Sequence, residues 1–402
     1  MLNILRKPAS HNAWLYHTLV YYLTFIALGA SSAIIGTTIQ DLADNVNQSK
    51  SDISFILGAS GFGYFLGSYL TGYLFDRLRP YSYLLICILI VPLVMFFIPL
   101  VGWSALFVPL FLLLGMSQSG MDVGSNTLIV WVHSNAVDPF MNGLHFFWAF
   151  GAFLSPLLVN QLTLAGGVEW AYWGVGALMV IPLTWLLILR WNNVADPVSP
   201  QHGKSQAETE AEVNHTLVYA IAFFFFLYVG IEASFLNWIY SYTTDTGLGD
   251  RQTASYVTAA FWGTFALGRL LGVPLATRFS PNQILFADLF ICLAGIGVIL
   301  ASHTQTALWI GTIIFGFGNA SIFATMLTFA KRRMTITSWV TSRFFLGLSA
   351  AGTLIPWFIG QGFEQFGEQL LMWSILVMTL GCIALLVGLI AYAPYQETSS
   401  SQ

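Results

Sequence analysis

The feature that most constrains this chain is a succession of apolar runs, each about 20 residues or longer, separated by short polar breaks. A helix needs about 20 mostly apolar residues to cross the roughly 30 Å hydrocarbon core of a bilayer. Twelve such runs can be placed, at 15–39, 53–75, 81–102, 104–132, 139–164, 169–191, 216–242, 253–279, 282–301, 306–330, 338–362 and 367–393. The first follows Arg6 and Lys7 but exceeds the roughly 7–15 apolar residues of a signal-peptide core, so it reads as a retained span. Only 8% of the 402 residues are charged and 56% are hydrophobic, whereas a soluble domain carries roughly 25% charged residues. Such a chain cannot cover a water-facing surface. The expectation is an all-α, multi-pass membrane protein of twelve transmembrane helices. Cys87, Cys292 and Cys382 lie inside apolar runs and read as small core residues rather than a disulfide or metal set.

One long polar stretch, 192–215, has the Pro, Gly, Ser and Glu content of a flexible linker. It divides the chain into a six-helix bundle over 1–191 and another over 216–393, with 394–402 as a disordered tail. With both termini inside, Arg6, Lys7, Arg77, Arg79, Arg190, Lys204, Arg278, Lys331, Arg332 and Arg333 fall on the inner side. The outer loops then hold only Lys50 and Arg251. That asymmetry predicts cytoplasmic termini and linker in a cell membrane.

Sliding the sequence by 201 residues brings the halves into register. Leu66, Gly67, Leu70, Leu74, Arg77 and Pro80 fall on Leu267, Gly268, Leu271, Leu275, Arg278 and Pro281. The same offset pairs Phe25 with Phe226, Gly29 with Gly230, Gly115 with Gly316 and Gly151 with Gly352. A single offset across several spans marks two parallel-related bundles, a transporter architecture with its site near the membrane midplane.

An aspartate at a bilayer centre costs about 2.5–3.5 kcal/mol on insertion scales, so intramembrane polar groups mark the candidate site. Gln118, Asp122 and Asn126 are spaced i, i+4, i+8 and share one face of span 4. Asn142 and His145 share a face of span 5. Asp122 and His145 fall at similar depth, either as an ion-coupling pair or as a structural tie between helices. Glu232 in span 7 and Arg269 in span 8 also share a depth, so a salt bridge is expected. Glu232 would bind a solute or the coupling ion, or the pair would only lock its bundle. Asn237 and Asn319 are buried amides in need of partners, and Trp238 and Trp262 offer aromatic faces for a solute. Asp288 reads as structural.

No phosphate-cradling Gly-Lys-Ser/Thr loop, His-Glu-x-x-His or Cys-x-x-Cys spacing is present, which leaves no basis for ATP drive, a metal site or an enzyme active site. The net charge of −4, without a basic block, argues against a nucleic-acid partner.

Six plus six spans, a polar central linker and "GYLFDRLRP" after span 2 resemble the major facilitator superfamily. Gly72, Asp76, Arg77 and Arg79 fit that superfamily's loop motif, which implies a latch role for Asp76 and Arg77 beside the start of span 11. Within it, "MDVGSN" (121–126) is similar to the carboxylate-x-x-x-Asn segment of fucose–proton symporters. Asn142, Leu144, His145, Gly151 and Pro156 resemble the fifth span of sodium-dependent glucose transporters, and 228–242 and 261–272 their seventh and eighth spans. Ala33 stands where fucose symporters carry a first-span aspartate.

The resemblance implies a secondary-active symporter that imports a monosaccharide-like solute on a proton or sodium gradient. Asp122, Glu232 and His145 would couple the ion. Gln118, Asn126, Asn142, Asn237, Asn319, Trp238 and Trp262 would contact the solute, and Arg269 would serve as a structural charge. The protein would act as a monomer, with no cofactor beyond a bound sodium ion if sodium drives it. A cation-driven efflux antiporter for apolar compounds and a transport-incompetent sensor are the alternatives.

Overall fold

Backbone in lipid has no water to bond to and must close its hydrogen bonds within the chain, as a helix does. The computed structural model describes residues 13–75, 77–133, 137–192, 197, 214–336 and 338–392, and these contain helices and no strand. The linker (apart from its ends and residue 197), the C-terminal tail, Arg6, Lys7 and Asp76 lie outside the described residues. The helices are α1 (Ala13–Asn45), α2 (Lys50–Ile53), α3 (Phe55–Phe75), α4 (Pro80–Phe97), α5 (Phe107–His133), α6 (Val137–Ala177) and α7 (Val180–Trp191). After the linker follow α8 (His215–Asp245), α9 (Arg251–Ala276), α10 (Pro281–Ala301), α11 (Gln305–Asn319), α12 (Ile322–Lys331), α13 (Ser338–Phe366) and α14 (Gln369–Tyr392).

Eleven helical stretches among the described residues are long and apolar enough to cross a membrane, one fewer than the sequence suggests. The difference lies in Pro139–Trp191, a 53-residue stretch that would measure about 80 Å as one straight helix. It is two passes. Gly166 and Gly167 leave helical geometry inside α6, and Gly167 has φ +83°, where a side chain is disfavoured. Span 10, expected as one helix, is broken: α11 stops at Asn319 and α12 starts at Ile322. Span 2 opens with the short α2, whose cap is reciprocal between Ser49 and Asp52.

The chain forms two compact units. The first comprises Met1–Ile34 and Phe62–Gln206, the second Ile35–Gly61 and Ala207–Gln402. The far part of α1, the α2 helix and the first turns of α3 thus belong with the second half of the sequence.

Helices in lipid approach closely where small residues line the contact. In the first unit, a Cβ on Gly67 of α3 would lie 2.7 Å from Met116 Cα on α5, and one on Gly63 2.8 Å from the Leu112 carbonyl carbon. That crossing carries Tyr64 to the polar face of α5. In the second unit, a Cβ on Gly316 of α11 would lie 2.7 Å from the Phe261 carbonyl oxygen on α9. One on Gly318 would lie 2.8 Å from the carbonyl oxygen of Asp288 on α10. These contacts fix the segment that ends at the span 10 break.

Candidate functional site

Among the described residues, each unit holds a half-buried carboxylate that accepts a hydrogen bond from a tyrosine. In the first unit Asp122 lies half-buried on α5. One oxygen accepts a hydrogen bond from the Tyr64 hydroxyl. The other accepts from Asn126 Nδ2 at 2.8 Å, and the same amide also reaches the Asp122 carbonyl at 3.0 Å. The i, i+4 spacing of Asp122 and Asn126 therefore yields a direct bond. One turn earlier, Gln118 is buried and donates from Nε2 to Ser31 Oγ of α1 at 3.1 Å. Ser31 in turn donates to the Leu28 carbonyl at 3.0 Å.

His145 lies half-buried on α6, its ring edge-on to Phe25 of α1 at 5.9 Å between centroids. Asn142 is exposed. Both donors recorded for the Asp122 carboxylate, Tyr64 and Asn126, are neutral.

In the second unit Glu232 of α8 accepts from the Tyr228 hydroxyl, one turn back on the same helix. That hydroxyl also lies 3.3 Å from the Asn319 carbonyl, at the end of α11. The expected Glu232–Arg269 salt bridge does not form: the ion pairs recorded among the described residues are Lys50–Asp245 and Arg251–Asp41. Tyr228 takes one carboxylate oxygen instead. Arg269 holds its guanidinium over the Phe265 ring at 4.7 Å, and its Nε is buried without a hydrogen-bond partner.

Asn319 is fully buried, and neither its Nδ2 nor its Oδ1 has a hydrogen-bond partner. Leaving a buried amide unsatisfied costs about 1–3 kcal/mol, and this one sits beside the break between α11 and α12. Asn237 is half-buried and turns its amide back to the Ala233 carbonyl at 2.8 Å. Trp238 and Trp262, expected as faces for a solute, are fully enclosed. Trp238 donates to the Pro356 carbonyl at 2.8 Å and meets the Phe363 ring, while Trp262 packs between Phe261 and Phe265. Asp288 of α10 is buried and accepts from the Ser321 hydroxyl at the start of α12. Arg77 is exposed and lies over the Tyr73 ring at 3.7 Å; its expected latch neighbour Asp76 lies outside the described residues.

The 201-residue offset relates the two clusters. It places Gln118 on Asn319 and Ser31 on Glu232. The neutral Gln118–Ser31 bond of the first unit is thus replaced in the second by a carboxylate and an unpaired amide, with the Tyr228 hydroxyl between the carboxylate and the Asn319 backbone carbonyl. Tyr64, Tyr228 and Ser31 were not singled out by the sequence. Tyr228 was legible from its i−4 spacing to Glu232 and Ser31 from the repeat, whereas Tyr64 carries no local signal among 16 tyrosines.

The sequence model of the Major Facilitator Superfamily matches residues 21–351. The chain is 29% identical over 374 residues to the sodium-dependent glucose transporter 1 of Homo sapiens, covering 84% of this chain and 71% of that protein. Among solved structures it resembles a mutant of the nucleoside transporter NupG at TM-score 0.72 and 15% identity, covering 94% of this chain and 99% of that one. It resembles a D-xylose–proton symporter at TM-score 0.72 and 14% identity, covering 92% and 97%. Likeness at such identities is likeness of fold.

Proposed function

Since this chain belongs to the major facilitator superfamily, an integral multi-pass class of transporters and not of enzymes, we propose that it is a symporter importing a monosaccharide-like solute on a proton or sodium gradient. The observation that carries the proposal is Asp122. A carboxylate inside a membrane protein with only neutral recorded donors lacks full charge compensation, and a proton or a sodium ion supplies it. Binding that cation on one side of the membrane and releasing it on the other couples its gradient to the solute. Glu232 and His145 are the further ion-coupling candidates.

Gln118, Asn126, Asn142, Asn237 and Asn319 supply amides suited to solute hydroxyls, Asn319 foremost because its amide is unpaired. Trp238 and Trp262 support this set from the core, and Arg269 sets the charge around Glu232. The solute class rests on the named relatives, a glucose transporter at 29% identity above all. The protein works as a monomer in the cell membrane with its termini and linker in the cytoplasm, following the Lys and Arg asymmetry.

The test is uptake into proteoliposomes of a hexose panel, with proton and sodium gradients imposed separately, for the native chain and for Asp122→Asn. The variant should lose gradient-driven accumulation and keep sugar-for-sugar exchange, which needs no net ion release. Accumulation that survives in the variant moves the coupling role to Glu232. Absence of any monosaccharide uptake, together with extrusion of lipophilic dyes, replaces the reading with efflux.

A further inference from the structure

Ser280, Pro281, Asn282, Arg332 and Arg333 line a cavity of about 400 Å³. The first three stand at the start of α10, and the two arginines follow α12 in the turn that leads to α13. All five lie in the second unit, on the side of the membrane that the Lys and Arg asymmetry makes cytoplasmic. None of the five is acidic. The imbalance extends along the chain. Between Gln252 and Phe363 the sequence carries Arg269, Arg278, Lys331, Arg332, Arg333 and Arg343 against a single acid, Asp288. That carboxylate accepts from Ser321.

We propose that this cavity binds a phosphate group, carried either by the headgroup of a membrane lipid or by a soluble phosphate ester. It rests on neither the transported solute nor the coupling ion.

Three observations support it. First, one guanidinium is fixed in place. Arg333 Nη2 donates to Asn282 Oδ1 at 3.3 Å, Nη1 donates to the Phe329 carbonyl at 3.4 Å, and the group lies over the Phe329 ring at 3.6 Å. A guanidinium presents a planar fork of N–H donors that matches phosphate oxygens. Arg332 beside it is exposed and can turn toward the same anion, and Asn282 keeps its Nδ2 as a neutral donor.

Second, the positive charge there is under-compensated. Burial, and then the neighbouring Arg332 charge, disfavour the Arg333 cation and push its pKa below the ordinary guanidinium range. An anion between the two side chains relieves both costs.

Third, the fold does not call for these arginines. The 201-residue offset places Arg332 on Trp131, Arg333 on Val132 and Asn282 on Tyr81. The first repeat thus carries aromatic and apolar side chains at the same stations. A topology signal needs cations near the span ends, but it needs no cavity between them. The site lies where Pro281–Ala301 and Gln305–Lys331 leave the bilayer, the depth of lipid phosphates, with Phe279 exposed beside it.

The experiment follows the unfolding midpoint of the purified full chain in neutral detergent. The probes are dioctanoyl phosphatidic acid, glycerol 3-phosphate and, as a zwitterionic control, dioctanoyl phosphatidylcholine. Phosphatidic acid should raise the midpoint saturably and phosphatidylcholine should not. An equal response to glycerol 3-phosphate assigns the site to soluble esters, and a response to phosphatidic acid alone assigns it to lipid. Arg332→Gln with Arg333→Gln should weaken the apparent Kd roughly tenfold or more. Should that pair of changes impair folding, Arg332→Gln alone preserves the recorded bonds of Arg333, and Arg333→Lys keeps the charge but removes the fork; each should still weaken binding. Arg278→Gln, exposed and outside the cavity lining, should leave the Kd unchanged. No saturable shift with either phosphate probe, an equal shift with phosphatidylcholine, or an equal loss in Arg278→Gln would each overturn the site. The linker supplies Glu208, Glu210 and Glu212 as rival anions. Binding that appears only when all three are changed to Gln would give the cavity to the linker and overturn the proposal as well.

Discussion

Gly36 and Asn237 are equivalent residues of the two repeats, 201 positions apart, and they touch. A Cβ on Gly36 would lie 2.9 Å from Asn237 Cα and 2.7 Å from the Leu236 carbonyl oxygen. The far part of α1 therefore crosses α8 at homologous positions, and only glycine lets the backbones come that close.

Gly36→Val should destabilise the protein, because a branched side chain would have to push two helix backbones apart. Overpacking of this kind costs about 1–3 kcal/mol. Thermal unfolding in detergent should show the drop. Gly72→Ala, at a position with no atom within 4 Å of the added carbon, should leave the midpoint unchanged or raise it slightly.

Tyr64→Phe keeps the ring and removes the donor to Asp122. A hydrogen bond to a charged group contributes about 1.5–3 kcal/mol. Gradient-driven accumulation should fall at least tenfold while exchange persists, read in the same proteoliposomes. Equal loss of both activities would make the phenol a solute contact instead.

A double-mutant cycle should rank the partners of Glu232. The direct bond to Tyr228 should give a larger coupling energy between Glu232→Gln and Tyr228→Phe than the cycle with Arg269→Gln, where no ion pair is recorded among the described residues. The measurement is transport rate or unfolding midpoint for each single and double variant. A larger Arg269 coupling would indicate that the guanidinium closes on the carboxylate in another state.

Asn319→Leu separates stability from function. It removes an amide with no partner on either polar atom and puts an apolar side chain of the same branching, somewhat larger, in its place. The unfolding midpoint should rise, since the desolvation cost of about 1–3 kcal/mol disappears, while solute uptake should fall to background. A lower midpoint would show that the amide is satisfied by water in the native protein.

Asp250 lies outside the spans and caps α9. It accepts from the Thr253 backbone amide at 2.8 Å, and with the Thr253 side chain this holds its carboxyl below the usual aspartate range. A depressed folded value stabilises the fold above the unfolded value, about 3.9, and the gain is lost as pH falls through the folded one. As pH falls below about 4, the native chain should therefore lose stability relative to Asp250→Asn, which caps without titrating. Parallel unfolding curves across that range would show that the cap is not coupled to protonation.

Apolar run lengths, the repeat and the placement of Asp122, Asn126 and Glu232 were legible in the sequence, because lipid imposes length and periodicity directly on composition. Pairings were less so. Depth in neighbouring spans suggested Glu232 with Arg269, but helix rotation decides which side chains meet, and the recorded donor to the carboxylate is a tyrosine one turn away on the same helix. Tyr64 could be assigned to Asp122 only once the Gly63 and Gly67 crossing fixed α3 on α5. The fold at Gly166–Gly167 sits where the expected spans 139–164 and 169–191 leave a gap, so the turn was visible in outline and its tightness was not. The break at Asn319 follows Gly316 and Gly318, which read in the sequence as helix-packing glycines inside one span.

A span interrupted at mid-length is two dipoles laid end to end rather than one. The carbonyl end of α11 carries roughly half a negative charge and the amide end of α12 roughly half a positive one, and both lie inside the bundle rather than in water. The nearby groups are sorted accordingly. The Tyr228 hydroxyl lies 3.3 Å from the Asn319 carbonyl, and the Asp288 carboxylate rests against Ser321 at the amide end. An aspartate that looks unaffordable in lipid thus occupies one pole of an internal field made by the backbone, and the opposite pole is left to attract whatever cation comes within reach.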